Sequence, residues 1–189
     1  MLIIYQTSTP KTRPQQTAAV YFPVNVGDQW IYQNFEKNFK WFIKVVGAKT
    51  INEKRYFVFE RSFEKSTYRD TSYYRVEDSR VLIHHFYVLV DFDRVPQHSW
   101  DSYGVIKGTV LNSGSMVSAP AGAFANLYEV KFEIQGSASG SEWLCKYAPG
   151  VGLVEYQTTG GTSRLIEASV KGKIFSNAQE MTSFSNEMN

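Results

Sequence analysis

The sequence predicts an all-β fold, a single-domain antiparallel sheet arranged as a partly closed barrel or a sandwich. Three observations carry that expectation. Apolar and polar residues alternate with a period of two along most of the chain. Aromatic residues make up 15% of it and lie between turn-forming residues, a composition that favours strands. No long segment shows a helical apolar period. At 189 residues with 43% hydrophobic content, the chain is long enough to bury one core without disulfides.

Taken in order, residues 1–19 read as a flexible lead-in, because 6–18 are rich in Thr, Gln, Pro and Lys. The domain is expected over 20–175, followed by a polar tail at 176–189 with a short helix near 178–181. It opens with YFPVNVGDQWIYQ at 21–33, in which Asn25 to Asp28 form a turn and Trp30 and Tyr32 then share one strand face. In 39–47, Phe39, Trp41, Ile43 and Val45 point one way and Lys40 and Lys44 the other. The clearest alternation is 127–135: Tyr128, Val130, Phe132 and Ile134 oppose Glu129, Lys131, Glu133 and Gln135. Weaker alternation marks 56–63, 72–78, 81–92, 105–111, 142–147, 153–158 and 164–174. The long runs 81–92 and 164–174 suit strands that curl around a shared interior, which tilts the choice toward the barrel.

Two turns stand out. In APAGAF at 119–124, Pro120 and Gly122 supply hairpin chemistry and Phe124 is placed to cap the core. In YAPGVGLVEYQ at 147–157, Gly152 is followed by strand-like residues, with no Lys-Ser/Thr pair, third glycine or helix. A phosphate loop needs those parts, so Pro149, Gly150 and Gly152 are read as a bulged turn between strands.

The segments YFPVNVGDQWIYQ, SYYRVEDSRVLIHH, VLVDF, VSAPAGAFANLYEVKFE and WLCKYAPGVGLVEYQ occur in this order over 21–174. In this the chain resembles a poorly characterised bacterial family carrying "YFPL-x-VG-x-x-W-x-Y", "VPAGTF" and "W-YAPGVGLV-K" patterns. The chain has Ala where the second pattern has Thr. The resemblance implies an exported or lipid-anchored protein of the cell envelope and brings no catalytic residues with it. An apolar run of only Leu2 to Tyr5 near the start is too short for a signal-peptide core or a membrane span. The expected location, outside the cytoplasm, therefore rests on the resemblance, and an integral membrane protein is not expected.

Composition and motifs narrow the chemistry. The net charge is +2 with dispersed basic residues, so no nucleic-acid partner is expected. Cys145 is the sole cysteine; it alternates with Trp143 and Tyr147, which suggests a buried thiol of raised pKa rather than a nucleophile. His84 and His85, adjacent in one extended strand, would leave opposite faces. A metal site of either with Asp91, Asp93 and His98 would require that strand to turn back, so no metal and no cofactor are expected. Asp91, Asp93 and His98 form the hydrolase alternative, a carboxylate pair with a possible base. Glu60, Glu142 and Glu155 are further strand carboxylates with no evident partner. An exposed edge strand pairing with another chain gives a third class, a structural or assembly module. The favoured reading is a non-catalytic domain that binds a small molecule, glycan or protein through an aromatic-lined face. Its candidate residues are Tyr73, Tyr74, Tyr87 and Trp100, from an aromatic surplus that includes Tyr56, Tyr68 and Phe86.

Overall fold

The structure, a computed structural model, describes residues 17–84, 87–136 and 141–176. The expected short helix near 178–181 and most of the lead-in lie outside these. Among the described residues a single helical turn, α1 (Ala18–Tyr21), precedes thirteen strands. They are β1 (Gln29–Asn34), β2 (Phe39–Ile51), β3 (Lys54–Phe63), β4 (Arg69–Glu77), β5 (Arg80–Ile83), β6 (Tyr87–Asp91) and β7 (Ser99–Asp101). There follow β8 (Ile106–Ala119), β9 (Gly122–Ile134), β10 (Glu142–Ala148), β11 (Gly152–Thr158), β12 (Gly161–Val170) and β13 (Lys173–Ser176).

All the strands belong to one antiparallel sheet in the order β6-β5-β4-β3-β2-β1-β12-β11-β10-β9-β8-β7, with β13 paired to β12. The two edges, β6 and β7, are consecutive in the chain and come together, so the sheet rolls into a nearly closed barrel. No backbone ladder joins them; side chains do. Val88 O on β6 accepts hydrogen bonds from Trp100 Nε1 at 3.3 Å and from Ser102 Oγ at 2.8 Å. Tyr87 and Tyr103 meet edge to face, with ring centroids 4.7 Å apart. Trp100 can lie flat across its pair partner on β8 because that partner is Gly108.

The alternation read from the sequence becomes the inside and outside of this barrel. Trp41 and Val45 are buried, as are Tyr128, Val130 and Phe132, while on the alternate positions Lys44 is exposed and Glu129 half-buried. Bulges on β2 and β12, among others, increase the local twist and help the sheet curl. Both predicted hairpins are present. Ala119 pairs with Gly122, and Phe124 is buried. Ala148 pairs with Gly152, and Gly150 and Gly152 take φ of 74° and 100°, values that β-carbon-bearing residues avoid. The Asn25–Asp28 turn is also present and is tied from both sides. Asp28 Oδ2 accepts from Asn25 N at 2.7 Å and Oδ1 from Lys171 N at 2.8 Å.

Two long runs expected to be continuous strands are not. Run 81–92 divides into β5 and β6, which pair with each other, and His84 sits at φ 48° in a turn rather than in a strand. Run 164–174 divides into β12 and β13 at Lys171-Gly172, both at positive φ (50° and 75°), the pattern of a tight two-residue hairpin. Period-two alternation continues across a tight hairpin, so the pattern alone does not mark the reversal.

One end of the barrel is plugged. Ala18 N donates to Asp78 O, and Gly150 N to Val20 O, which fastens α1 across the β4–β5 and β10–β11 turns. Tyr21 stacks on Phe92 at 5.2 Å and donates its hydroxyl to Asn126 O. Near this end the sheet splits. β11 follows β12 only from Glu155 to Thr158, so the carbonyls of Val151 and Leu153 lack strand partners on that side. Two inward aromatics satisfy them: Trp30 Nε1 donates to Val151 O at 2.7 Å and the Tyr32 hydroxyl to Leu153 O at 2.9 Å. The tip of the long β8–β9 hairpin reaches the split, where Ala121 N donates to Leu165 O.

Candidate functional site

The other end of the barrel is open. The β1–β2, β3–β4 and β11–β12 turns surround an opening into a chamber of about 600 Å³ between the strands. Its walls come from inward positions of nearly every strand: Phe39, Trp41 and Ile43 on β2, Phe59 and Phe63 on β3, Tyr74 on β4, Leu89 on β6, and Leu153 and Tyr156 on β11. Ile43, Tyr74, Leu89, Leu153 and Tyr156 point inward yet are only half-buried, because the chamber they line is open. A closed core would hide such side chains. Beyond them lies a smaller recess of about 110 Å³, bounded by Phe22, Pro23, Trp30 and Tyr32 and sharing Ile43, Phe59, Tyr74, Leu89, Tyr147 and Leu153 with the chamber.

The chamber wall is electrically quiet. Burial pushes the Cys145 thiol up to about 12, and burial likewise raises the hydroxyls of Tyr32, Tyr74, Tyr147 and Tyr156 above the ordinary tyrosine value. All five groups are therefore neutral at physiological pH. The thiol expected to be buried is buried, flanked on β10 by Trp143 and Tyr147 and 5% exposed. Charge is confined to the mouth, where Lys37, Glu60, Arg61 and Asp70 stand among the lining residues. Arg61 pairs with Asp70 at 2.7 Å and Glu60 with Arg69 at 3.5 Å.

The four sequence-predicted binding residues fall in different places. Tyr74 lines both the chamber and the recess and meets Phe59 edge to face at 4.7 Å. Tyr73, next to it in the strand, projects from the opposite face. Tyr87 and Trp100 stand at the β6–β7 seam, Tyr87 against the chamber-lining Tyr103 and Trp100 against Phe132. The chamber residues that sequence reasoning did not select as binding residues, Ile43, Phe59, Leu89 and Leu153 among them, read as core positions. Alternation identifies an inward side chain but not whether the space in front of it is filled.

The hydrolase alternative finds other employment for Asp91. Its carboxylate accepts from Ser79 Oγ at 2.8 Å, from Asp93 N at 3.2 Å and from Arg94 Nε at 2.9 Å. Its carbonyl accepts the Tyr128 hydroxyl at 2.8 Å. Asp91 thus organises the turn leaving β6, while Asp93 is exposed. None of Asp91, Asp93 and His98 lines the chamber. Although the chain does turn back after β5, among the described residues no three His, Cys, Asp or Glu are grouped to hold a metal ion; His85 lies outside them. No helix among the described residues is long and apolar enough to cross a membrane.

The carboxylates that lacked an evident partner in the sequence have partners across strands. Glu155, 1% exposed, pairs with Lys146 at 2.8 Å and Arg164 at 2.7 Å on the outer face. Glu142 lies 3.6 Å from Lys131. Strand registers Lys146↔Glu155 and Glu155↔Arg164 make these neighbours although nine residues separate each pair.

No protein-family model and no curated protein sequence matches the chain. Two solved structures are similar to it. One is from Bacteroides fragilis, a "putative exported protein with YmcC-like fold", 16% identical, covering 82% of this chain and 98% of its own, with a TM-score of 0.55. The other, a "putative lipoprotein" from Parabacteroides distasonis, is 12% identical over the same shares, with a TM-score of 0.46. The likeness to the Bacteroides protein shows that the two chains share a fold.

Proposed function

We propose that this chain is a non-catalytic binding protein that works outside the cytoplasm and takes a small, largely apolar molecule into the open chamber of its barrel. The observation that carries this reading is the chamber itself, about 600 Å³ of space faced by half-buried aromatic and aliphatic side chains. Small-molecule sites typically enclose about 300–1,000 Å³ with mostly apolar walls and a few polar groups that fix orientation. The similar fold of the Bacteroides fragilis "putative exported protein" supports the location. In this reading the binding face is the inner wall of the chamber, which Tyr74 lines.

The neutral fluorescent probe N-phenyl-1-naphthylamine tests the reading. It should brighten on titration with the protein and saturate at one site. Ile43→Trp, which fills the space shared by chamber and recess, should weaken that binding at least about tenfold while the protein remains folded by circular dichroism. Absence of brightening, or equal binding by a folded Ile43→Trp protein, refutes it.

A further inference from the structure

The chamber is asymmetric in a way that specifies its occupant. Resting on the chamber reading above, we infer that the ligand is a single-chain amphiphile with an anionic head, its tail in the recess beside Trp30 and its head at Lys37.

The inner end accepts only apolar groups. Of the polar groups around it, Trp30 Nε1 and the Tyr32 hydroxyl are already committed to Val151 O and Leu153 O, and the hydroxyls of Tyr74 and Tyr147 are hydrogen-bonded with Ser72 and Cys145. A polar ligand group placed there would be desolvated without a partner. The space narrows from about 600 Å³ to about 110 Å³ toward that end, which suits the tip of one hydrocarbon chain better than a ring system or two chains. Phe22 and Pro23, following α1, help to close it.

The outer end is polar and carries a lysine outside any ion pair among the described residues. Asn34, Ser72, Thr158 and Ser163 bring amide and hydroxyl groups to the upper wall. The two lining carboxylates are engaged, Asp70 by Arg61 and Glu60 by Arg69. Lys37 also lines the chamber, its ammonium lying against Gly160, and among the described residues no carboxylate stands within ion-pair distance of it. Glu36 in the same turn faces Gly161 and accepts from Thr162 N at 2.9 Å. Arg61 and Arg69 are matched by Asp70 and Glu60, which leaves Lys37 as the lining cation outside any ion pair among the described residues. A carboxylate or phosphate arriving with its tail inward meets Lys37 without having to break an existing pair.

Competition against bound N-phenyl-1-naphthylamine separates the head from the chamber. Laurate, dodecanol and dodecyltrimethylammonium carry the same tail with negative, neutral and positive heads. Laurate should displace the probe most readily and the cationic amphiphile least. An exposed ion pair contributes about 1 kcal/mol, or about fivefold in affinity. Lys37→Gln, in an exposed turn, should remove about that fivefold advantage for laurate and leave dodecanol unchanged; 0.5 M salt should act in the same direction. Lysophosphatidylglycerol of the same tail length identifies the source. Tighter binding than laurate assigns a lysophospholipid, weaker binding a free fatty acid, and both agree with the inference. Equal displacement by laurate and dodecanol, or an unchanged laurate affinity in Lys37→Gln, overturns the anionic head while the chamber reading stands. Failure of the probe and of all the amphiphiles to bind removes both.

Discussion

Replacing Gly108 by alanine tests how the barrel is closed. A methyl group placed on Gly108 falls against Cζ2 of Trp100, 2.5 Å from Cε2 and 3.0 Å from Cη2. The obstruction is the face of an indole, not the end of a flexible chain. Gly108 is buried, so the ring has to move. It cannot do so without losing its hydrogen bond to Val88 O and its edge contact with Phe132. Forcing an extra carbon into a packed site costs about 1–3 kcal/mol, and a lost hydrogen bond adds about 1 kcal/mol. Gly108→Ala should therefore destabilise the protein by about 3 kcal/mol, which in a domain of this size lowers Tm by about 6–12 °C. Gly47→Ala is the control: nothing lies within 4 Å of its added carbon, and the change should be within about 0.5 kcal/mol of zero. Calorimetry measures both. In a Trp100→Ala background the Gly108→Ala penalty should nearly vanish, because the group it collides with is gone. A Gly108→Ala protein that melts within about 1 °C of the parent would show that Trp100 does not clasp the seam.

Trp30→Phe keeps the aromatic volume but leaves the buried Val151 carbonyl without its donor. Urea unfolding should show a loss of about 1–3 kcal/mol at an unchanged m-value. At Glu155, burial pushes the carboxyl up, but the hydrogen bonds and charges of Arg164 and Lys146 outweigh it and hold the net value below the ordinary one. The stabilisation is therefore complete above the unfolded-state pKa of about 4.3 and is lost as pH falls through the lower folded value. Glu155→Gln should cost about 1–2 kcal/mol at pH 7, a small figure because Arg164 is 43% exposed. Its Tm should also fall less than the parent's between pH 7 and pH 3; an equal fall would remove Glu155 from the acid response.

Much of the fold is legible in the sequence because a strand writes itself locally. Phe39, Trp41, Ile43 and Val45 share a face wherever the strand goes, and Pro149 with Gly150 and Gly152 turns the chain whatever lies around it. Reversals that leave the alternation intact are not legible in this way, as His84 and Lys171 show. Nor are properties set by register. Glu155 looked unpartnered until β10 and β12 brought Lys146 and Arg164 alongside it. The chamber lies further still from local information. Ile43 and Val45 carry the same inward signature, yet Val45 is fully buried while Ile43 faces open space. That difference depends on how far the sheet closes and on what fills each end.

The two ends explain why one barrel can be both stable and hollow. Near the plug, inward groups are matched: Tyr21 lies on Phe92, the indole of Trp30 and the hydroxyl of Tyr32 satisfy the split between β11 and β12, and the tip of the β8–β9 hairpin reaches the same split. Among the described residues nothing comparable spans the mouth, where the turns meet water and charge. A barrel of this breadth could bury still more apolar surface by collapsing on itself. Rings held edge to face on different strands, such as Phe59 against Tyr74 and Trp41 against Tyr156, resist that collapse by propping the wall. The same rings face the cavity. Truncating one should therefore change stability and probe binding together, whereas a change at Lys37 should alter head-group preference with the melting temperature unmoved. The separation of those two effects distinguishes a chamber built to be occupied from an imperfectly packed core.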